Sequence, residues 1–398
     1  MMPDAAQQQT PPLTFSSTRL DERLGEAGID VLFVTSKHNI RYLLNGHHHH
    51  FFAYMDAIGV SRYLPVLVYP RGRPNDATYI ANRNEKGSLS VHDREGRKLW
   101  VPTVLPAASG SREAMEVAVE HVRKLGLSAP SLGIEGPFLP ADAFQVMRDA
   151  FPDSRLVEAH RALELLRSVK TPDELELLRE ASERVVASML AVIGSHGPGT
   201  TKRALEAALQ REEVSRGLTF EYALITVGSS HLRAPSDEVW QDGGVLSLDS
   251  GGNLLGYIGD LCRMGVLGEP DGELVDLLGA VDRIQMAARA PIRAGVPGAA
   301  IYDAARDALA ASAHKPEFVA HGMGLISHEA PRLTATGPVP YPASDADRPL
   351  ESGMVISIET TLAHPSRGFI KLEDTVAVTD DGWAAFGDGG RGWNRGAA

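Results

Sequence analysis

The sequence predicts an α/β N-terminal domain followed by an α+β C-terminal domain, and three observations carry that expectation. Through the first 150 residues, short apolar runs alternate with amphipathic stretches. Near residue 170 the segment LRSVKTPDELELLREA has the chemistry of a fresh helix start. Beyond it, long amphipathic segments are mixed with β-rich runs that carry acidic residues. The length of 398 residues suits two or three domains at about 150 residues each.

Taken in order, residues 1–15 are Gln, Pro and small residues without periodicity, which predicts a disordered tail. The first domain is expected over 16–168. Its strand candidates are Val31 to Val34, Leu64 to Tyr69, Ala77 to Ile80 and Ser131 to Ile134. Before the last of these, Ser111 to Leu125 lines up Met115, Ala118, Val119, Val122 and Leu125 as one apolar helical stripe. The second domain is expected over 169–398. Thr171 can cap its first helix, Pro172 suits the first helical position, and Glu174 completes a Thr-x-x-Glu capping box. Helices are predicted at about 172–193, 201–216, 272–293 and 299–313. The glycine-rich stretch from Gly194 to Lys202 lacks a preceding strand, and its lysine does not follow the last glycine. It therefore reads as a helix end and a new N-cap rather than a phosphate loop.

Composition excludes several functions. Against 39 Lys+Arg stand 51 Asp+Glu, a net charge of -12, so nucleic acid and anionic membranes are poor partners. Cys262 is the sole cysteine, which removes internal disulfides and thiolate zinc cages and points to a reducing compartment, the cytoplasm by expectation. The opening MMPDAAQQQTPP lacks the apolar core of a signal peptide, and no run approaches the roughly 18 apolar residues of a bilayer span, so a soluble protein is expected.

The chemistry is concentrated in the C-terminal half. Gly244 to Arg263 reads as strand, glycine-rich turn and strand, with Asp249 on one arm and Asp260 on the other. Two later strands each embed a glutamate: Glu359 in GMVISIE and Glu373 in FIKLEDTVAV. Period-two alternation puts Glu359 with Ser357 and Val355 on one face, and Glu373 with Lys371 and Thr375. Buried carboxylates are costly unless paired or metal-bound. Arg263 and Lys371 are the only basic residues within these runs, a deficit that two divalent ions would cancel. His321 is followed by Gly-Met-Gly, which permits close backbone approach, and brings the set to two Asp, two Glu and one imidazole. Manganese, ferrous iron, cobalt and zinc all suit such ligands.

These motifs, in this order, resemble the pita-bread metallohydrolases, which include methionine aminopeptidase, Xaa-Pro aminopeptidase, prolidase and creatinase. The resemblance rests on Asp249-Ser-Gly251, Gly256-Tyr257, Asp260 and Arg263; on Gly353-Met-Val355 through Glu359; on Glu373-Asp-Thr-Val376; and on His321-Gly-Met-Gly-Leu-Ile-Ser-His328-Glu329-Ala-Pro331. It implies a creatinase-like N-terminal domain and a pita-bread catalytic domain. It also implies two divalent ions per chain, with Asp249 on one, Asp260 and Glu373 bridging, and His321 and Glu359 completing the second. By the same resemblance Glu359 shuttles the proton, while His328 and His231 face the substrate. His231 lies in a segment, Val-Gly-Ser-Ser-His-Leu-Arg-Ala-Pro, that departs from the family pattern. Arg332 would hold the free carboxylate of a dipeptide, as in prolidase-like members. The implied activity is hydrolysis of a C-N bond in a small peptide, an Xaa-Pro dipeptide foremost. The alternatives are a creatinase-like or dimethylsulfoniopropionate-lyase-like reaction on a small molecule, and a non-catalytic binding homologue. A homodimer is implied as well, in which the run His47, His48, His49 and His50 is a candidate loop for reaching the partner subunit. Cys262, between Asp260 and Arg263, reads as a small buried filler.

Overall fold

A computed structural model describes residues 13, 15–51, 63–94, 98–333 and 343–398. Of the tail expected over 1–15, all but Leu13 and Phe15 lie outside the described residues, and Phe15 is buried in the first domain's core. The chain divides into two units, Met1–Leu166 and Arg167–Ala398.

In the first unit, apolar runs too short for helices pair into a sheet. Among the described residues its strand order is Thr103–Ala108, Thr78–Asn82, Val66–Pro70, Val31–Val34, Leu132–Ile134 and Leu156–Glu158. Val31–Val34, Val66–Pro70 and Thr78–Asn82 are buried along their whole lengths, as strands covered on both faces must be. The helix Ser111–Lys124 buries Met115, Ala118, Val119 and Val122 of the predicted stripe against that sheet, while Leu125 caps the helix end and is half-buried.

The second unit opens as expected. Thr171 Oγ1 accepts from the Glu174 amide at 3.3 Å, and the Glu174 carboxylate accepts from the Thr171 amide at 2.7 Å. The helix then runs Pro172–Ser195. Thr201 caps the next helix, Lys202–Ser215, which disposes of the phosphate-loop reading. Lys202 instead reaches Glu238 at 3.0 Å. The third helix ends at Arg289 rather than 293, because Pro291 has no N–H to continue the ladder.

The sheet of this unit runs Ser327–Glu329, Glu317–Met323, Val355–His364, Gly368–Val378, Tyr257–Val266, Val245–Leu254 and Thr219–Val227. Strict alternation splits it into two chemistries. Leu246, Leu248 and Leu261 pack against Val185, Met189 and Ile193 of the first helix. Ile356, Ile358 and Val376 pack against Ile284, Ala288 and Ile301. The intervening residues, including Asp249, Glu359 and Glu373, face the other side. Gly259 permits the close approach of sheet and helix, since a Cβ there would stand 2.7 Å from the Ala181 carbonyl carbon.

One buried acid behind this sheet should give stability a pH signature. Glu213, on the helix Lys202–Ser215, takes a 2.7 Å hydrogen bond from the Ser250 hydroxyl, and burial pushes its carboxyl up from 4.5 to about 7. An acid whose folded pKa is raised favours the fold fully below the unfolded value, and that advantage is lost as pH climbs through the folded one. Urea denaturation should therefore show stability declining between about pH 4.5 and 7, and Glu213→Gln should flatten that decline. An identical pH profile in the variant would exclude Glu213 as its source.

Candidate metal centre

The first acid pair is built by the antiparallel strands Val245–Leu254 and Tyr257–Val266, which set Asp249 opposite Cys262 and Gly251 opposite Asp260. The second is more direct: Glu359 and Glu373 are register partners on Val355–His364 and Gly368–Val378. Cys262 is in turn paired with Glu373, which joins the two hairpins. His321 arrives from the neighbouring strand Glu317–Met323, opposite Ser357. Strand pairing thus gathers five side chains spread over 125 positions, because each sits on the same side of one sheet.

Donor atoms of Asp260, His321 and Glu373 lie within 4.8 Å of one another, as do those of His321, His328 and Glu359. His321 Nε2 stands 3.3 Å from Glu359 Oε1 and 3.6 Å from Glu373 Oε1. It is fully buried and has no hydrogen-bond partner, while Nδ1 lies 3.3 Å from the Gly322 carbonyl. With Nδ1 donating to that carbonyl, Nε2 points at carboxylate oxygens, a place filled by a proton or, in its stead, by a cation. The donor set of imidazole and carboxylates therefore fits a divalent ion.

Asp260 is held by hydroxyls: Ser327 Oγ donates to Oδ2 at 2.7 Å, and Tyr222 also hydrogen-bonds the carboxylate. Ser357 Oγ donates to Glu373 Oε1 at 2.9 Å. Such partners fix carboxylates in ligand-ready orientations.

Lys371 is the feature that sequence reading underweighted. Its Nζ lies 2.6 Å from Asp249 Oδ2, 2.7 Å from Glu359 Oε2 and 2.7 Å from Glu373 Oε2. Arg233 was missed altogether as a site residue. Its guanidinium hydrogen-bonds the same Asp249 Oδ2 and stacks over the Phe369 ring at 5.3 Å. A lone arginine in an irregular loop carries no periodicity that would place it. Arg263, by contrast, faces the helices, where it pairs with Asp374 at 2.8 Å.

The carboxyls feel opposite fields. Burial lifts Asp249 to about 6, against the pull of Lys371. Burial and the charges of Glu373 and Asp249 raise Asp260 as well. Burial also pushes Glu359 up, but Lys371 and His321 outweigh it and hold this carboxyl well below the usual range. His321 is pulled down by burial, yet Glu359 and Glu373 prevail and raise it to about 10. Burial and the charge of His321 lower His328 to about 4, which keeps its ring neutral near pH 7. The Cys262 thiol is pushed up by burial and stays protonated, with Ser247 Oγ at 3.3 Å.

His328 takes a left-handed backbone, φ 61°, and stacks on His321 with ring centroids 3.7 Å apart. Close chain approach makes this possible, since a Cβ at Gly322 or Gly324 would collide with residues 329 and 330. The remaining candidates lie apart from the acids. His231 is exposed, with Nε2 3.3 Å from the His364 carbonyl. Arg332 is anchored through its backbone, whose N–H donates to Asp345 Oδ2 at 2.7 Å. In the histidine run, His47 pairs with buried Glu85 at 3.0 Å, His49 is buried beside Tyr63, and His50 is exposed.

Among the described residues a further group, His38, Glu135 and His160, also has metal-like spacing. Both Glu135 oxygens are already engaged by the Thr35 and Ser36 amides, the Ser36 hydroxyl and Asn39 at 2.5–2.9 Å. That carboxylate clasps a helix start.

Comparison with known proteins places these observations. Residues 176–380 match the model of metallopeptidase family M24, and residues 17–169 match the creatinase/prolidase N-terminal domain. The uncharacterized peptidase YqhT of Bacillus subtilis is 24% identical over 92% of this chain and 95% of its own length. The probable dipeptidase PepE of Mycobacterium bovis is 34% identical over 57% of this chain and 60% of its own length. The solved Xaa-Pro dipeptidase from Bacillus anthracis superposes with a TM-score of 0.78, covering 95% of this chain and 98% of that one at 22% identity, a likeness of fold.

The strand that carries His328 is tied down by Glu329, which meets Arg167 at 2.9 Å and Lys170 at 3.1 Å with all three side chains buried. Glu329→Ala leaves both cations buried without that carboxylate and should cost about 3–5 kcal/mol of unfolding free energy. Chemical denaturation measures it, and a loss under about 1 kcal/mol would show the clamp to be energetically idle.

Proposed function

The chain belongs to metallopeptidase family M24, and from that membership we propose that it is a metal-dependent peptidase that hydrolyses the C-N bond of small Xaa-Pro peptides, with dipeptides foremost. The observation that carries this reading is the convergence of Asp260, His321 and Glu373 around the orphaned His321 Nε2, with Glu359 and His328 at its edge. The names of a probable dipeptidase and an Xaa-Pro dipeptidase among similar proteins support a small peptide substrate.

In this reading Asp249, Asp260, His321, Glu359 and Glu373 form a ligand set with two positions for divalent ions. When bound, such ions supply Lewis acidity to the scissile carbonyl and make a neighbouring water more acidic. The protein's own residues do the remainder. Glu359, held ionised by Lys371 and His321, accepts the proton of the attacking water and returns it to the leaving nitrogen. His328, neutral near pH 7, donates a hydrogen bond to the developing oxyanion. Arg332 and His231 are assigned to the substrate, Arg332 to its terminal carboxylate. The protein works as a cytoplasmic homodimer, and His50, the exposed member of its run, is the residue available to the partner subunit.

Chelator treatment should abolish hydrolysis of Ala-Pro and Leu-Pro, and manganese or cobalt should restore it. Glu359→Gln should reduce kcat by about 100-fold or more, the usual size of a general-base contribution, with an unchanged circular dichroism spectrum. Turnover near wild type would reject that role. Arg332→Ala should raise KM for free dipeptides by about tenfold or more and leave C-terminally blocked peptides unaffected. An equal loss on both would assign Arg332 to the fold.

A further inference from the structure

We propose that Lys371, with Arg233, is a built-in cation of the acid cluster: the ammonium fills the position beside Asp249, so the protein carries one resident divalent ion, in the Asp260–His321–Glu373 corner, and accepts a second only by displacing Lys371. The proposal rests on the metal-dependent reading above and refines it.

Four observations bear on it. An ammonium has three N–H donors, and Lys371 Nζ has three carboxylate oxygens at 2.6–2.7 Å, from Asp249, Glu359 and Glu373. Its donors are saturated, and its side chain is 3% exposed, so water does not share the charge. Arg233, from the loop after the strand Thr219–Val227, converges on the same oxygen, Asp249 Oδ2. An oxygen already accepting from two cations has little lone-pair density left for a metal. Third, among the described residues Asp249 belongs to neither metal-spaced group around His321, whereas Asp260 and Glu373 do.

The fourth observation is the charge balance. Asp249, Asp260, Glu359 and Glu373 carry four negative charges when ionised. With His321 giving up its proton to become a ligand, Lys371 and Arg233 return two of them, and one divalent ion returns the other two. A second divalent ion would leave a buried excess of positive charge, which is costly unless a basic group withdraws. Lys371 is too deeply enclosed to withdraw without breaking three ion pairs. Arg233, at 32% side-chain exposure, swings outward more easily, but its departure leaves the ammonium in place, so a second ion must still displace Lys371 to reach Asp249.

The test is isothermal titration of the chelator-stripped full chain with manganese alone, with bound metal counted by elemental analysis. Wild type should bind one equivalent tightly and a second more weakly by about 100-fold or more, as expected when an ion must displace a buried ammonium. Lys371→Met should bring the second affinity to within about tenfold of the first, while Lys371→Arg, which keeps the charge, should stay at one equivalent. Two tight equivalents in wild type, or a single one in Lys371→Met, would overturn the proposal. If stripped Lys371→Met does not fold, Arg233→Gln provides the second reading. It should tighten the second equivalent by about tenfold or more, and no change would count against the proposal. Peptidase assays on the same samples separate the two claims. One tight equivalent without hydrolysis of Ala-Pro or Leu-Pro sinks the substrate assignment and leaves the stoichiometry standing, whereas no bound metal sinks both.

Discussion

The cluster of acids beneath the sheet surface can exist only because positive charge is held among them. Asp249, Asp260 and Glu373 are each less than 5% exposed, and so is His321. Carboxylates this close and this dry cannot all remain ionised on their own. The resulting distortions set burial against the charges around each acid, and burial lifts even Asp249, which Lys371 touches. Glu359, touched by Lys371 and His321, is driven down, while Asp260, which lacks a cation contact of that kind, is driven up. The cations are therefore unevenly placed across the site, with Lys371 and Arg233 at the Asp249 side and neither of them paired with Asp260.

Backbone pairing produces that arrangement without special folding devices. A period-two strand presents alternate residues to opposite faces, so a run such as Phe369-Ile-Lys-Leu-Glu-Asp-Thr builds two environments at once. Lys371, Glu373 and Thr375 face the acids, while Ile370, Leu372 and Val376 fill the helix-side cores. The antiparallel register then sets Glu359 directly beside Glu373. Apolar burial on one face supplies the stability that lets the other face hold poorly compensated charge.

Much of this was legible in the sequence, for reasons that differ from residue to residue. The Thr171 capping box, the apolar stripe of the helix Ser111–Lys124 and the two acid hairpins are local patterns, and local patterns survive in a linear reading. Alternation also put Lys371 on the face of Glu373. What one strand could not reveal was the distance from that lysine to Asp249, 122 positions away in the chain. Its reach across the cluster depends on the adjacency of two hairpins, which is a tertiary fact. Arg233 was hidden more completely, because it lies in a loop between strands and its partner is fixed only when the segment folds back over Asp249. The end of the helix Gly272–Arg289 slipped for a simpler reason: apolar periodicity continues through Ile292, but Pro291 removes the donor the helix needs.

The neighbouring residue Asp374 shows what a buried acid looks like when it is purely structural. It faces the helices and is surrounded by Arg263 at 2.8 Å, Arg289 at 2.9 Å and Arg391. Cations there are as plentiful as the acid could require, and each is locked by further hydrogen bonds, such as those from Arg263 to the carbonyls of Cys262, Glu373 and Gly387. One peptide bond away, Glu373 belongs to a cluster in which four carboxylates share Lys371 and Arg233. The contrast within a single strand argues that the shortfall is selective: this chain can compensate buried acids with fixed arginines, and does so on one face only. On the other face the corner at Asp260, His321 and Glu373 has Lys371 on Glu373 alone, and an exchangeable cation is the chemically sufficient completion.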